Sequence, residues 1–295
     1  MDKKNWYQHS IEKVLEYLDN NIDSDLTLAV LSHEAGFSPF HFHRIFHSYT
    51  GKSLHQYILE RRLTLAANQL LYESCDITEI ALRHGFSTPS AFSRSFKELF
   101  HCTPTKYRLD QHREYPASFA NITFPNYSYD EEIHMCFSPV NLTDLQTLCL
   151  GVTGLSESFL NPEIEQAFHT IFSWLKSHGA SPNTKICGIT VDSPEVTSLA
   201  DCKYYACTTV DTQISSETLV YRTFHTAGSY ICCKMKREQT DFADQFFYRM
   251  KYFYGYYLER YQLVPDYRPF VEFYERDEQG NLMILFCVPV KNSKK

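Results

Sequence analysis

The stretch LSHEAGFSPFHFHRIFHSYTGKSLHQY, residues 31–57, decides the fold of the first third of the chain, because it recurs. The second copy is IALRHGFSTPSAFSRSFKELFHCTPTKY, residues 80–107. Gly36 and Phe37 align with Gly85 and Phe86 at an offset of 49, and Arg44, Phe46 and Tyr57 align with Arg94, Phe96 and Tyr107 at an offset of 50. One inserted residue in the second turn accounts for the change. Each copy has the grammar of a helix, a tight turn and a second helix. In the first copy Leu26–Ala35 is predicted helical, and Gly36 ends it in the left-handed conformation that glycine adopts cheaply. Ser38 then stands where a cap is needed, with Pro39 at the first helical position. In the second copy Ile77–His84, Gly85, Thr88 and Pro89 repeat that order.

The second helix of each copy has two faces. Phe42, Ile45, Phe46 and Tyr49 follow an i, i+3, i+4, i+7 spacing and are expected to be core. Phe40, His43, Arg44 and His47 fall on the opposite face. In the second copy Phe92, Phe96 and Leu99 are expected to point inward, and Ser90, Ser93, Arg94 and Lys97 outward. An exposed helix face carrying one arginine among short polar neighbours suits the major groove. There arginine donates two hydrogen bonds to guanine, and Ser or His reaches phosphates or bases. For one copy alone an ordinary solvated face explains these residues equally well, but two copies with matching caps and an arginine at the same place favour DNA. His41, His43 and His47 have no evident carboxylate or cysteine partner, so no metal is expected there.

Between the copies, SLHQYILERRLTLAANQLLYES (residues 53–74) lacks Gly and Pro and is rich in helix formers. Ser53 is placed to cap it. A helix of about 20 residues spans about 30 Å, close to one turn of B-DNA. The two reading helices are therefore expected to enter successive major-groove segments on one face of the duplex.

Composition sets the outer limits. The chain has 295 residues, 43% of them hydrophobic and 15% aromatic, enough for two cores. No run approaches the ~18 apolar residues of a membrane span, and MDKKNWYQHSIEKV has no apolar run after its lysines. The expected location is the cytosol, with no membrane partner. The ten cysteines form no CxxC pair, so they are expected to be scattered buried thiols without metal or cofactor. Net charge is −7; residues 1–110 carry twelve Lys/Arg against thirteen Asp/Glu, a balance of −1. The missing basic excess argues against nucleic acid, and the repeat outweighs it. Low positive charge implies weak non-specific affinity, reliance on direct base contacts and a shallow salt dependence.

This N-terminal pattern resembles the AraC family of transcription regulators over residues 6–109. The resemblance rests on AGFSPFHFHRIF, on RRLTLAANQLL, and on HGFSTPSAFSRSFKELFHCTPTKYR with its closing Pro104, Tyr107 and Arg108. It implies that Phe40, His43 and Arg44 read one groove segment and Ser90, Ala91 and Arg94 the next. Cys102 departs from the family's usual glycine or small residue.

Residues 111–126 are polar and Pro-containing, a linker between a DNA-binding domain of residues 1–110 and a second domain of residues 127–295. The second domain reads as strand–helix–strand–strand twice. Its first half comprises a strand at 145–155, a helix at 162–178, and strands in KICGITVDSP and KYYACTTVDT. Its second half comprises a strand at 227–236, a helix at 241–262 and a hairpin at 268–290 turning at Gly280. The fold class is thus an all-α double helix-turn-helix followed by an α+β domain. GITVDSP, KYYAC, GSY, PFVEFYE and VPV make residues 127–291 similar to the GyrI-like effector-binding domain that follows an AraC-type domain in Rob-like regulators. After GSY the chain departs from the family with ICCKMKREQTD. The resemblance implies a ligand cleft between the two repeats, faced by Glu272. Phe270, Tyr274, Tyr230 and aromatics of 241–262 are its expected companions. A carboxylate among aromatics suits lipophilic cations. Against this, Phe242, Phe246, Phe253 and Tyr257 are for the most part expected to be core, and Glu272 has the alternative of pairing with a basic side chain.

The reading is a DNA-binding transcription regulator, an activator contacting RNA polymerase, with a small-molecule effector and no enzymatic role. Two alternatives for the C-terminal domain stay open. One is a protein-interaction module without ligand. The other is a hydrolase of the GyrI-like kind, although no Ser/His/Asp or Cys/His pattern accompanies the pocket.

Overall fold

A computed structural model describes residues 3–110, 129–156, 161–194, 196–214, 216–237 and 241–292. The expected linker, residues 111–126, lies outside the described residues. The chain divides into two compact units, one helical and one α+β.

The helical unit begins with α1 (Lys3–Asn20), whose Ile11, Val14, Leu15 and Leu18 are buried at helical spacing. Then come α2 (Leu28–Glu34), α3 (Pro39–Thr50), α4 (Leu54–Tyr72), α5 (Ile77–Arg83), α6 (Pro89–Phe100) and α7 (Pro104–Asp110). Helix α2 starts two residues later than the expected Leu26, because Thr27 is its cap and accepts a hydrogen bond from the Val30 amide. Ser38, Ser53 and Thr88 cap α3, α4 and α6 through the amides of His41, Gln56 and Ala91. Gly36 and Gly85 have φ of 70° and 77°. The following amides close back, Phe37 onto the Ser32 carbonyl at 2.9 Å and Phe86 onto the Ala81 carbonyl at 3.0 Å.

The repeat is visible in the packing as well as in the letters. Phe42 and Phe46 meet at 5.4 Å between ring centroids, as do Phe92 and Phe96. Phe46 meets Tyr57 edge-on at 5.5 Å, and Phe96 meets Tyr107 edge-on at 5.2 Å. Two expected core residues are exposed. Tyr49 is 41% exposed and donates its hydroxyl to Glu12 Oε1 at 2.5 Å, and Leu99 is 36% exposed near the end of α6. Amphipathic spacing places them on the right side but past the depth of the core. Where Gly51 closes α3 at φ 71°, His101 closes α6 at φ 58°.

The α+β unit runs α8 (Glu131–His134), β1 (Phe137–Leu142), β2 (Leu145–Thr153), α9 (Pro162–His178), β3 (Ile186–Thr190), β4 (Lys203–Thr209), β5 (Val220–Phe224) and β6 (Gly228–Lys236). It continues with α10 (Phe242–Tyr252), a π turn (Phe253–Tyr257), α11 (Leu258–Arg260), β7 (Leu263–Pro265), β8 (Phe270–Arg276) and β9 (Leu282–Asn292). The sheet order is β1-β6-β9-β8-β3-β4-β2-β5, with β7 on β9. The expected strand–helix–strand–strand units are present twice, as β2-α9-β3-β4 and β6-α10-β8-β9. Their strands lie in mirrored order, so the second strands of the two units, β3 and β8, meet antiparallel at the centre. Strands β1, β5 and β7 and helix α8 are additions to the sequence-based reading.

Two further expectations are corrected. The helix expected over 241–262 is interrupted by the π turn, whose wider spacing accompanies burial of the consecutive Tyr252 and Phe253 together with Tyr257. The cysteines are not all thiols: Cys232 on β6 stands directly opposite Cys287 on β9, and the two are joined as a disulfide. The other eight are free.

Candidate nucleic-acid interface and effector cavity

Helix α3 presents Phe40, His43, Arg44 and His47 on its exposed side, with Phe40 80% exposed. Helix α6 presents Ser90, Arg94 and Lys97 in the same way, while Ala91 and Ser93 are half-buried. Among the described residues no carboxylate engages Arg44 or Arg94, so both guanidinium groups are available to a partner. An apolar ring as exposed as Phe40 at the head of such a helix is equipped for contact with a base edge.

One side chain that sequence reasoning did not single out ties the segment between α1 and α2 to the turn of the second helix-turn-helix copy. Arg62 of α4 donates from Nε to the Ile22 carbonyl at 2.9 Å and from Nη2 to the Ser24 carbonyl at 2.7 Å. The same guanidinium lies on the Gly85 turn, where a Cβ would sit 2.7 Å from Nη1. The positive φ is what requires glycine at 85, and a side chain there would also press on the end of Arg62, whereas Gly36 has open space around it. Beside this turn His84 is buried and shares a hydrogen bond from Nε2 with Gln69 Oε1 at 3.1 Å. Burial holds its pKa below the ordinary 6.5, outweighing the Asp23 carboxylate 3.5 Å away.

In the α+β unit a cavity of about 480 Å³ lies among α9, α10 and the strands of the central seam, a size that suits a drug-like molecule. Glu272, Phe270 and Tyr274 of β8 line it, in the alternation expected of a strand. Tyr204 of β4, Phe168 of α9 and Phe242 and Phe246 of α10 are among its other aromatic walls. Tyr204 and Tyr274 both donate their hydroxyls to Glu272 Oε1, Tyr274 at 2.5 Å, and the two hydroxyls lie 3.2 Å apart. Burial raises the Glu272 pKa, while the two hydroxyls and the Arg237 charge act in the opposite direction. The tyrosines are pushed up by burial and by the carboxylate, so they remain donors. The alternative of Glu272 paired to a basic side chain gives way to this Tyr–Glu–Tyr arrangement.

The structure separates Tyr230 from this group. It is fully buried on β6, its hydroxyl donates to the Pro269 carbonyl at 3.0 Å, and Arg268 lies over its ring at 4.8 Å. It is not among the residues lining the cavity. Conversely, Tyr204 was legible only as part of KYYAC; its hydroxyl reaches Glu272 across β3, and no spacing in the sequence reports that. Among the described residues no group of three or more His, Cys, Asp or Glu is placed to hold a metal, and no helix is long and apolar enough to cross a membrane.

Residues 31–110 match the model of a helix-turn-helix domain, and residues 151–291 match the GyrI-like small molecule binding domain. The multiple antibiotic resistance protein MarA of Escherichia coli K12 is 35% identical over 109 residues, which cover 37% of this chain and 86% of MarA. The chain belongs to the AraC family of transcription regulators. This AraC-type regulator also matches YbfP of Bacillus subtilis, described as an uncharacterized HTH-type transcriptional regulator, at 36% identity over 103 residues. That match spans 35% of each chain. Among solved structures, an AraC-type regulator from Chromobacterium violaceum aligns at 28% identity and a TM-score of 0.35, covering 36% of this chain and 96% of that one. The protein is thus a DNA-binding transcription regulator with a GyrI-like small-molecule binding domain.

Proposed function

We propose that α3 and α6 read successive major-groove segments through Arg44 and Arg94, and that the C-terminal cavity senses a lipophilic cation held by Glu272. Phe40, His43, His47, Ser90, Ala91, Ser93 and Lys97 flank the two arginines. The regulator works in the cytosol as an activator that contacts RNA polymerase, and residues 1–110 and 127–295 form its two domains. The observation that carries the ligand reading is a carboxylate enclosed by aromatic rings and held by two tyrosine hydroxyls. Ionised in that setting, it offers a cation both charge pairing and ring faces.

Thermal unfolding of the full chain with tetraphenylphosphonium, compared with neutral triphenylphosphine oxide, tests this. Stabilisation by the cation alone, lost in Glu272→Gln, is the expected result. No stabilisation in the wild type sinks the cation reading. For the DNA half, Arg44→Ala and Arg94→Ala are each expected to weaken binding to a selected site by about 1–3 kcal/mol. Unchanged affinity in both variants contradicts the two-groove arrangement.

A further inference from the structure

We propose that Glu272 holds its ligand through Oε2 alone, as the acceptor of one N–H, so that the cavity selects protonated amines over fully substituted onium ions. This rests on the cation reading of Glu272 and names the kind of cation. The two oxygens of that carboxylate are not equivalent. Oε1 accepts from the hydroxyls of both Tyr204 and Tyr274. It also lies over Gly188 of β3, where a Cβ would overlap it. Oε1 is thus turned to the seam of the sheet, and its two lone pairs are taken up. Among the described residues none donates to Oε2, and the atom is not sealed from the cavity that Glu272 lines.

An ionised carboxylate walled by aromatic rings is most stable when each oxygen finds a donor. The two hydroxyls meet that need at Oε1 and leave it unmet at Oε2. A ligand that brings charge without a donor, such as a tetraalkylammonium, neutralises Glu272 but gives Oε2 no hydrogen bond. A protonated amine supplies both, and charge-assisted hydrogen bonds are the stronger kind. Two other polar side chains of the walls compete poorly for the N–H. Asn161 is engaged in capping α9 and in donating to the Gly154 carbonyl. Glu165 is exposed on α9, where water weakens its pull.

Two isomeric probes isolate the N–H: N-ethyl-N-methyl-1-naphthylmethylammonium and N,N,N-trimethyl-1-naphthylmethylammonium. At neutral pH they share atoms, charge and ring system, and differ in whether the nitrogen carries a hydrogen. Calorimetric titration of the full chain measures both affinities. The expected result is about tenfold tighter binding of the N–H isomer, the lower end of what one hydrogen bond to a charged group contributes. Glu272→Gln is expected to weaken both and to abolish the preference. Its amide oxygen goes to the tyrosine hydroxyls, and its NH2 group then faces the cation. The unfolding temperature shows whether the variant is folded. Equal affinities in the wild type, or a preference that survives in folded Glu272→Gln, overturn the proposal. Equal affinities that both need Glu272 leave the cation reading standing without the N–H. Failure of both probes to bind the wild type removes both readings.

Discussion

Gly188 and Glu272 stand directly opposite each other in the central pair β3·β8, and the missing side chain of one makes room for the functional group of the other. A Cβ at 188 would overlap the Tyr204 hydroxyl and Glu272 Oε1. The backbone of Gly188 needs no left-handed conformation, so its requirement is one of space. Gly188→Ala is therefore expected to destabilise the α+β unit by roughly 1–3 kcal/mol, the usual cost of overpacking. It should also displace the tyrosine hydroxyls from the carboxylate and weaken the stabilisation by tetraphenylphosphonium. A urea titration and thermal unfolding of the same variant with and without the cation separate the two effects. A variant with wild-type stability and binding would show that the seam is looser than drawn.

Arg62 and Gly85 are expected to behave as a unit. Arg62→Ala removes two hydrogen bonds to the Ile22 and Ser24 carbonyls, and Gly85→Ala forces the guanidinium away from the turn. Each single change should cost roughly 1–3 kcal/mol. The double variant should cost clearly less than the sum, because the guanidinium that Gly85→Ala displaces is already gone. Additive losses in urea unfolding would refute the coupling. Because Arg62 joins the segment between α1 and α2 to the turn of the second copy, Arg62→Ala should also reduce affinity for a two-segment DNA site.

His84 ties stability of the helical unit to pH. Its folded pKa lies below the unfolded value near 6.5, so the fold favours the neutral ring. The stabilisation is full above pH 6.5 and is lost as pH falls through the lowered folded value. Arg62 and Arg83 reinforce this by repelling a charged ring, while Asp23 opposes it. The urea midpoint of the helical signal should thus fall between pH 7.5 and pH 5.5. Replacement of His84 by Gln should flatten that slope, and an unchanged slope in the variant would assign the effect elsewhere.

The cysteines give a countable outcome. Unfolded protein kept free of reductant should titrate eight thiols, and ten after reduction. The bridge spans 55 residues, a loop whose closure contributes up to about 4 kcal/mol in the chain-entropy account. Unfolding should therefore shift to lower urea on reduction, and Cys232→Ser should show no such shift. Ten thiols before reduction would mean that the pair is open.

What the sequence made legible was whatever is local. Caps at Ser38, Ser53 and Thr88, the left-handed turns at Gly36 and Gly85, and the alternation of Phe270, Glu272 and Tyr274 are each set by neighbours within a few positions. The Cys232–Cys287 pairing depends on the β6·β9 register, and the meeting of Tyr204 with Glu272 depends on β3 lying between their strands. Neither is encoded in spacing. Tyr230 was placed in the pocket by kinship of motif, yet its ring belongs beneath Arg268.

The mirrored strand order has a consequence for stoichiometry. Where the two units meet, Gly188 of the first stands opposite Glu272 of the second. A carboxylate at both positions would set two like charges about 5 Å apart across the ladder, and like charges so placed repel. Glycine in one half and glutamate in the other ends that repulsion. The outcome is a single acidic centre on a twofold scaffold, which accommodates one effector per chain rather than two.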